Sequence, residues 1–388
     1  MAAVSFFPVE ETSKLAALMG VEAEVQTLLD AQNYDKVYSL FAKKSGALLT
    51  QGDYAANPKD LEKVYNLLIA IVSQAKQDDL PDLVPAIVAP LLTDDATNLP
   101  IQKLQVLSNL FNSLDAASHI RYLVFVAVVQ LAYKADEIDV ILPTLPLLNS
   151  YFTAWGVEQD EERSLILLLS EVLADKFPAQ AYEYLLQYLR TFPSKPFPKQ
   201  VQETAAQAVE TALTLPAVTN FVDLARLAPV ASLKSSHANL LSLVQIFVDG
   251  NVSAFDKFLS EHPKFLSEHP SFDESALRTK IRLLTLATLA YPFVDVADGL
   301  SFANVAKALN VDLVDVEEWV VTAIRSGLID GRIDQVNKVV RVSRATQRVF
   351  GPEQWNMLEE RLSSWSDNLK HILQVLHNAK TAVGQASA

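Results

Sequence analysis

The chain has 388 residues, 50% of them apolar and 20% charged, with no cysteine and a net charge of −14. That length exceeds what one compact core usually reaches, so several packed units or a solenoid are expected, and the apolar half excludes a disordered chain. The lack of cysteine excludes disulfides, thiolate metal sites and cysteine nucleophiles, and it fits a reducing compartment.

Met1 to Val9 lacks the basic start and apolar core of a secretory signal. The longest apolar stretch, Tyr122 to Tyr133, is broken by Gln130 and falls short of the roughly 20 residues of a membrane span. A soluble cytoplasmic or nuclear protein without a membrane span is the expectation, and the acceptor motif Asn251-Val252-Ser253 then reads as a chance match. The charge is unevenly placed. Residues 1–272 carry 19 basic against 32 acidic side chains, whereas residues 273–388 carry 13 against 14. An acidic body of this kind disfavours bulk attraction to nucleic acid.

The first 290 or so residues read as helices punctuated by proline. Leu61, Val64, Leu68 and Ile71 share one helix face, and Leu104, Leu107, Leu110 and Leu114 share another. Similar spacing predicts helices over 21–29, 34–43, 118–134, 161–176, 179–191, 200–213, 239–248 and 275–291. Pro58, Pro100, Pro178, Pro216 and Pro292 fall between them, where a missing N–H and a fixed φ cost least. Helices of this length joined by short turns fit a right-handed helical-repeat (TPR/HEAT-like) solenoid in a mainly α fold. No repeat signature recurs at a fixed period, and a non-repeating helical bundle is the alternative.

Lys257-Phe-Leu-Ser-Glu-His-Pro263 is followed at once by an identical copy, Lys264 to Pro270. Its histidines, His262 and His269, each precede a proline and lack a second ligand three or four residues away, so a lengthened surface turn is expected rather than a metal site.

From Ser301 to Val342 the spacing switches. Phe302, Val305, Ala306 and Leu309 form one helix face with Ser301 as cap; Val316, Trp319, Val320 and Ala323 form a second, stopped by Gly327. Ile329 to Asp334 and Val340 to Val342 then alternate as two strands around a polar turn. Two short helices and a hairpin outline a winged helix. Its second helix leads with Asp315, Glu317 and Glu318, which would face phosphates, so sequence-specific DNA reading is disfavoured. Around the wing lies a basic patch of Arg325, Arg332, Lys338, Arg341, Arg344 and Arg348. It reads either as a weak RNA contact or as a solvated, partner-facing wing.

Beyond Pro352, the residues Trp355, Leu358, Leu362, Trp365, Leu369, Ile372 and Leu376 alternate at 3, 4, 3, 4, 3 and 4. This seam either packs back on its own domain or joins helices of other chains, and no second heptad helix is present to pair with it. The last residues, from Ala379, read as a disordered tail.

Closely spaced glycines for a phosphate loop are missing, and His119, His237, His371 and His377 form no metal spacing. Acidic pairs such as Asp78-Asp79, Asp94-Asp95 and Glu161-Glu162 sit at expected helix ends or loops, where the helix dipole explains them. No catalytic residue, metal or cofactor is expected.

A helical array leading into a winged helix and then one long helix resembles the PCI domain family, found in the proteasome lid, the COP9 signalosome and translation initiation factor 3. The stretches that carry the resemblance are Lys280-Ile-Arg-Leu-Leu-Thr285, Asp315-Val-Glu-Glu-Trp-Val-Val-Thr-Ala-Ile-Arg325, Ile333-Asp-Gln335, Val339-Val-Arg-Val342 and Thr346-Gln-Arg-Val-Phe-Gly351 with Gln354-Trp355, Trp365 and Asn368-Leu369. The hairpin around Ile333 is also similar to subunit 7 of the signalosome. The tail from Phe350 through Trp365 is similar to a component of initiation factor 3 and not to the signalosome one. The paired-histidine motif of the metalloprotease subunits is missing.

The resemblance implies helical repeats over 1–177, a PCI domain over 178–346 with its winged helix at 301–346, a bundle helix over 352–380 and a disordered tail over 381–388. It further implies a non-catalytic scaffold of the initiation factor 3 complex on the small ribosomal subunit. In that picture the wing lies beside the PCI domain of another component, the factor's A subunit. The seam helix enters a bundle with the metalloprotease-like subunits F and H. A signalosome scaffold, or direct RNA contact through the wing, is the alternative.

Overall fold

The computed structural model describes residues 9–51, 57–93, 99–194, 196–294, 296, 299–349 and 351–386. The chain divides after Thr191 into two compact units. The first holds α1 (Val9–Met19), α2 (Glu22–Asp30), α3 (Tyr34–Lys44), α4 (Ala47–Gln51), α5 (Pro58–Val72), α6 (Leu80–Leu92), α7 (Pro100–Ser113), α8 (Ile120–Lys134), α9 (Leu148–Trp155), α10 (Gln159–Leu173) and α11 (Pro178–Arg190). Pro58, Pro100 and Pro178 each open a helix, where no N–H is needed. Alternate helices stack, α5 on α7, α6 on α8 and α8 on α10, while α7 with α8 and α10 with α11 pair in succession. Such nearest-neighbour burial is the packing of a helical repeat. Helix α8 is buried over most of its circumference and open only along Leu123, Gln130 and Tyr133, which explains the near-continuous apolar run at Tyr122 to Tyr133 as that of a core helix.

The structure adds a helix to those that the sequence spacing predicts in this unit. Helix α6 is hidden in the sequence by Pro81, Pro85 and Pro90, yet Leu83, Val84, Ile87, Val88 and Leu91 keep helical spacing and are all buried. The first compact unit ends after Thr191: α11 packs along α10, and Arg163 of α10 donates to the Thr191 carbonyl at 3.0 Å.

The second unit begins with α12 (Lys199–Thr214), α13 (Val222–Ala225), α14 (Ala228–Ser232), α15 (Ala238–Asp249), α16 (Val252–Glu261), α17 (Phe265–Glu268) and α18 (Glu274–Ala290). The tandem copy is not a surface turn. Its first half ends α16 and its second forms α17, burying Phe258 and Phe265 edge to face at 5.3 Å, with Phe272 stacked beyond at 5.8 Å. His262 lies against Phe258 and His269 against Phe265, and His269 pairs with Glu210 at 3.0 Å. Duplication here repeats an apolar anchor.

The winged helix follows as β1 (Leu300–Ser301), α19 (Phe302–Leu309), α20 (Val316–Arg325), β2 (Ile329–Asp334) and β3 (Val339–Ala345). Ser301 caps α19, its hydroxyl accepting from the Asn304 amide, and Gly327 ends α20 in the left-handed region at φ 72°. The sheet has three strands in the order β1-β3-β2, one more than the sequence suggests: Leu300 pairs with Val340 and Ser301 with Val339. Two residues of β1 are too few to show alternation. Val305, Leu309, Val316, Val320, Ala323, Val340 and Val342 meet the end of α18 in one core. Last comes α21 (Pro352–Ala386), 35 residues long and thus about 52 Å at the helical rise. It runs past residue 380, where the sequence pattern placed its end, and through most of the expected disordered tail; residues 387 and 388, like Phe350, lie outside the described residues.

Candidate assembly surface: the winged helix and the C-terminal helix

Helix α21 starts on Pro352, and the Gly351 amide donates to the Gln354 side chain at 2.9 Å, which holds its first turn. Leu358 is partly buried. The other seam residues, Trp355, Leu362, Trp365, Leu369, Ile372 and Leu376, are between 46% and 65% exposed, so the seam does not fold back on its own unit. Leu373 and Val375 are exposed as well and widen the apolar face toward the C-terminal half. Sequence reasoning missed both because the strict 3-4 alternation skips them, although Leu373 lies four residues after Leu369. A contiguous apolar stripe left open along a helix is uncommon on a monomer.

The helix leaves the winged-helix unit beside the end of α18. Arg361 donates from Nη2 to the Tyr291 carbonyl at 3.0 Å, with its guanidinium 5.2 Å from the centre of the Tyr291 ring.

The basic patch comes apart in three dimensions. Arg325, Arg332 and Lys338 are exposed and have no acidic partner within ion-pair distance among the described residues. Arg344 is bound to Asp330 at 2.6 Å, and Arg341 lies 3.6 Å from Asp334. Arg348 is not on the patch at all, which corrects the sequence assignment. It turns inward and donates to Thr288 Oγ1 at 2.8 Å, the Gly250 carbonyl at 2.9 Å and the Phe247 carbonyl at 3.4 Å. Burial brings its guanidinium down to about 10 despite the nearby charge of Asp249. A lone cation directly after a strand carries no sequence signal that distinguishes a buried anchor from a surface charge.

The wing tip is held by side-chain hydrogen bonds. Asn337 donates from its amide and its side chain to Asp334, at 3.1 and 2.9 Å, which holds that carboxyl below the usual range. Gln335 ties the tip to Glu317 of α20 at 2.6 Å. The leading carboxylates of α20 therefore brace the wing or face solvent. Trp319 packs under the Arg282 guanidinium at 5.1 Å.

Lys280, which heads one of the stretches that carry the resemblance, has a structural role that the sequence pattern does not reveal. It is 7% exposed and donates to the carbonyls of Ala212 and Leu215, both at 2.6 Å, and of Leu213 at 3.4 Å, closing the C-terminal end of α12. Phe221 covers it at 4.8 Å, and burial pushes its ammonium down to about 7. Only its burial is signalled in the sequence: position 280 falls on the buried face defined by Leu277, Ile281 and Leu284. Among the described residues no group of three or more His, Asp or Glu side chains is placed to hold a metal ion, and no helix is long and apolar enough to cross a membrane.

A helical body feeding a three-stranded winged helix defines a PCI-domain protein, and the PCI domain profile matches residues 259–344. A second profile, described as "eIF3 subunit M, C-terminal helix", matches residues 348–376, which contain Arg348, Arg361 and the seam. The chain is 33% identical to eukaryotic translation initiation factor 3 subunit M of Phaeosphaeria nodorum over 81% of its own length and 72% of that protein. It is 32% identical to the subunit M of Dictyostelium discoideum over 83% and 80%, and 32% identical to that of Aspergillus oryzae over 84% and 71%. The chain belongs to the eukaryotic translation initiation factor 3 subunit M family.

Proposed function

We propose that the chain is a non-catalytic scaffold of the cytoplasmic translation initiation factor 3 complex, helping to assemble it on the small ribosomal subunit. The observation that carries this reading is the exposed seam of α21, which its own unit leaves uncovered. Each large apolar side chain buried there is worth about 1.5–3 kcal/mol, enough in sum to hold a helix in a bundle. The bundle partners are the metalloprotease-like subunits F and H. The winged helix aligns beside the PCI domain of the factor's A subunit, for which the exposed edge of β2 offers unpaired backbone groups. Affinity purification of the tagged chain tests this: initiation-factor subunits should co-purify, and recovery of signalosome subunits alone would overturn it.

Direct RNA binding through the wing has less support, since Arg341 and Arg344 face carboxylates and Arg348 is internal. Three free cations limit the salt dependence. With single-stranded RNA the isolated chain should show a slope of log K against log salt no steeper than about −2. A filter-binding series returning a slope near −4 would restore the RNA-binding reading.

A further inference from the structure

Helix α21 is long, and its apolar face is exposed, so something other than burial of the seam must set the direction in which it leaves the winged-helix unit. Two arginines, thirteen positions apart, reach the same place. Arg348, on the connector after β3, donates to Thr288 Oγ1 near the end of α18, and Arg361, in the third turn of α21, donates to the carbonyl of Tyr291 directly beyond that end. The end of a helix carries the negative end of its dipole, which favours a guanidinium there, and the Tyr291 carbonyl, which accepts from the Val294 amide at 3.3 Å, has a second lone pair for Arg361. The two anchors differ in kind. Arg348 is internal and also bonds the Phe247 and Gly250 carbonyls, so it ties the connector to the α15–α16 turn. Arg361 is only partly buried, and it combines its hydrogen bond with a cation over the Tyr291 ring.

We propose that Arg361 on Tyr291 is a positioning clamp for assembly: with Arg348 fixing the connector, it aims the seam helix before any partner arrives. The partner-facing residues are the seam; Arg361 acts through the orientation of the helix. This rests on the reading of the seam as a partner surface. A helix held at one angle presents its face preformed, whereas a swinging helix is competent only for the fraction of time it points correctly, and apparent affinity falls by that fraction.

The lack of cysteine permits a direct test on the full chain. Nitroxide labels at Ser253→Cys, on α16, and Gln374→Cys, on α21 and off the seam, report the distance across the clamp by electron–electron resonance. The parent should give one narrow distribution, Arg361→Ala a broad one, and Arg361→Lys an intermediate one. In the affinity purification, Arg361→Ala should lower partner recovery about tenfold, the loss expected when about a tenth of the population stays aligned. Thermal unfolding should be unchanged, because no core side chain is removed. Tyr291→Leu, which keeps the backbone carbonyl but removes the ring, should fall between the parent and Arg361→Ala in both measurements.

The clamp is overturned if Arg361→Ala keeps the narrow distribution, or if it recovers partners at the parent level while a seam variant does not. If seam variants themselves assemble normally, the partner-surface reading fails, and the resonance measurement on the isolated chain still judges the clamp.

Discussion

Leu362→Asp combined with Leu369→Asp is expected to abolish co-purification of the chain with its complex while leaving both units folded. The two side chains are 54% and 46% exposed, so the isolated chain loses little packing, and aspartate is compatible with an exposed helix surface. In a covered seam the same changes remove two leucines, at about 2–5 kcal/mol each, and bury two carboxylates without partners, which adds several kcal/mol more. The sum is comparable with what the five remaining seam residues can supply at about 1.5–3 kcal/mol each, which leaves no net affinity for the partner helices. Circular dichroism and thermal unfolding of the purified double variant should match the parent, and quantitative mass spectrometry of the pull-down should show the other subunits lost. Assembly at the parent level would mean that the exposed seam is not the surface that joins the complex.

Lys280→Met should lower stability by about 3 kcal/mol, measured as a reduced urea midpoint. Methionine fills most of the volume, but the Ala212 carbonyl loses its donor in a buried setting and the Leu215 carbonyl keeps only the Val218 amide, and an unsatisfied acceptor costs about 1–3 kcal/mol. The pH dependence has a definite sign. Unfolded, the amine keeps its proton up to its ordinary value of 10.5; folded, it releases it near 7. Between those values the unfolded chain binds more protons, so the contribution of this site to stability rises with pH from about 7 toward 10. The parent should therefore gain on the methionine variant across that range. A gap that stays constant with pH would show that the buried ammonium keeps its charge, held by the three carbonyls.

Much of the winged helix was legible because local spacing and tertiary burial agree there, and the seam because its alternation is local to one helix. Ser301 caps, Gly327 stops and the 3-4 alternation from Trp355 all act within a few residues of themselves. The failures have equally local causes. Prolines in α6 hide a helix whose buried face is complete, and β1 is too short to show a period. The tandem copy looks like a loop insertion because its two phenylalanines become a buried pair only when α17 folds against α16.

Charge was the least legible property. A sequence shows where the arginines and lysines are, but a cation's meaning depends on what faces it. Arg348 and Arg341 lie seven residues apart, yet one is an internal anchor and the other a surface charge beside Asp334. By itself the sequence determined the class of the protein: an acidic helical body, a winged helix, then a heptad helix, all written in periodicities that the backbone enforces over a few turns. Only the tertiary structure decided which faces remain open. The seam is uncovered, the basic patch is divided by carboxylates within the hairpin, and Lys280, Arg348 and Arg361 are spent on carbonyls 65 to 101 positions away, because burial and pairing are set by what the fold brings near and not by spacing along the chain.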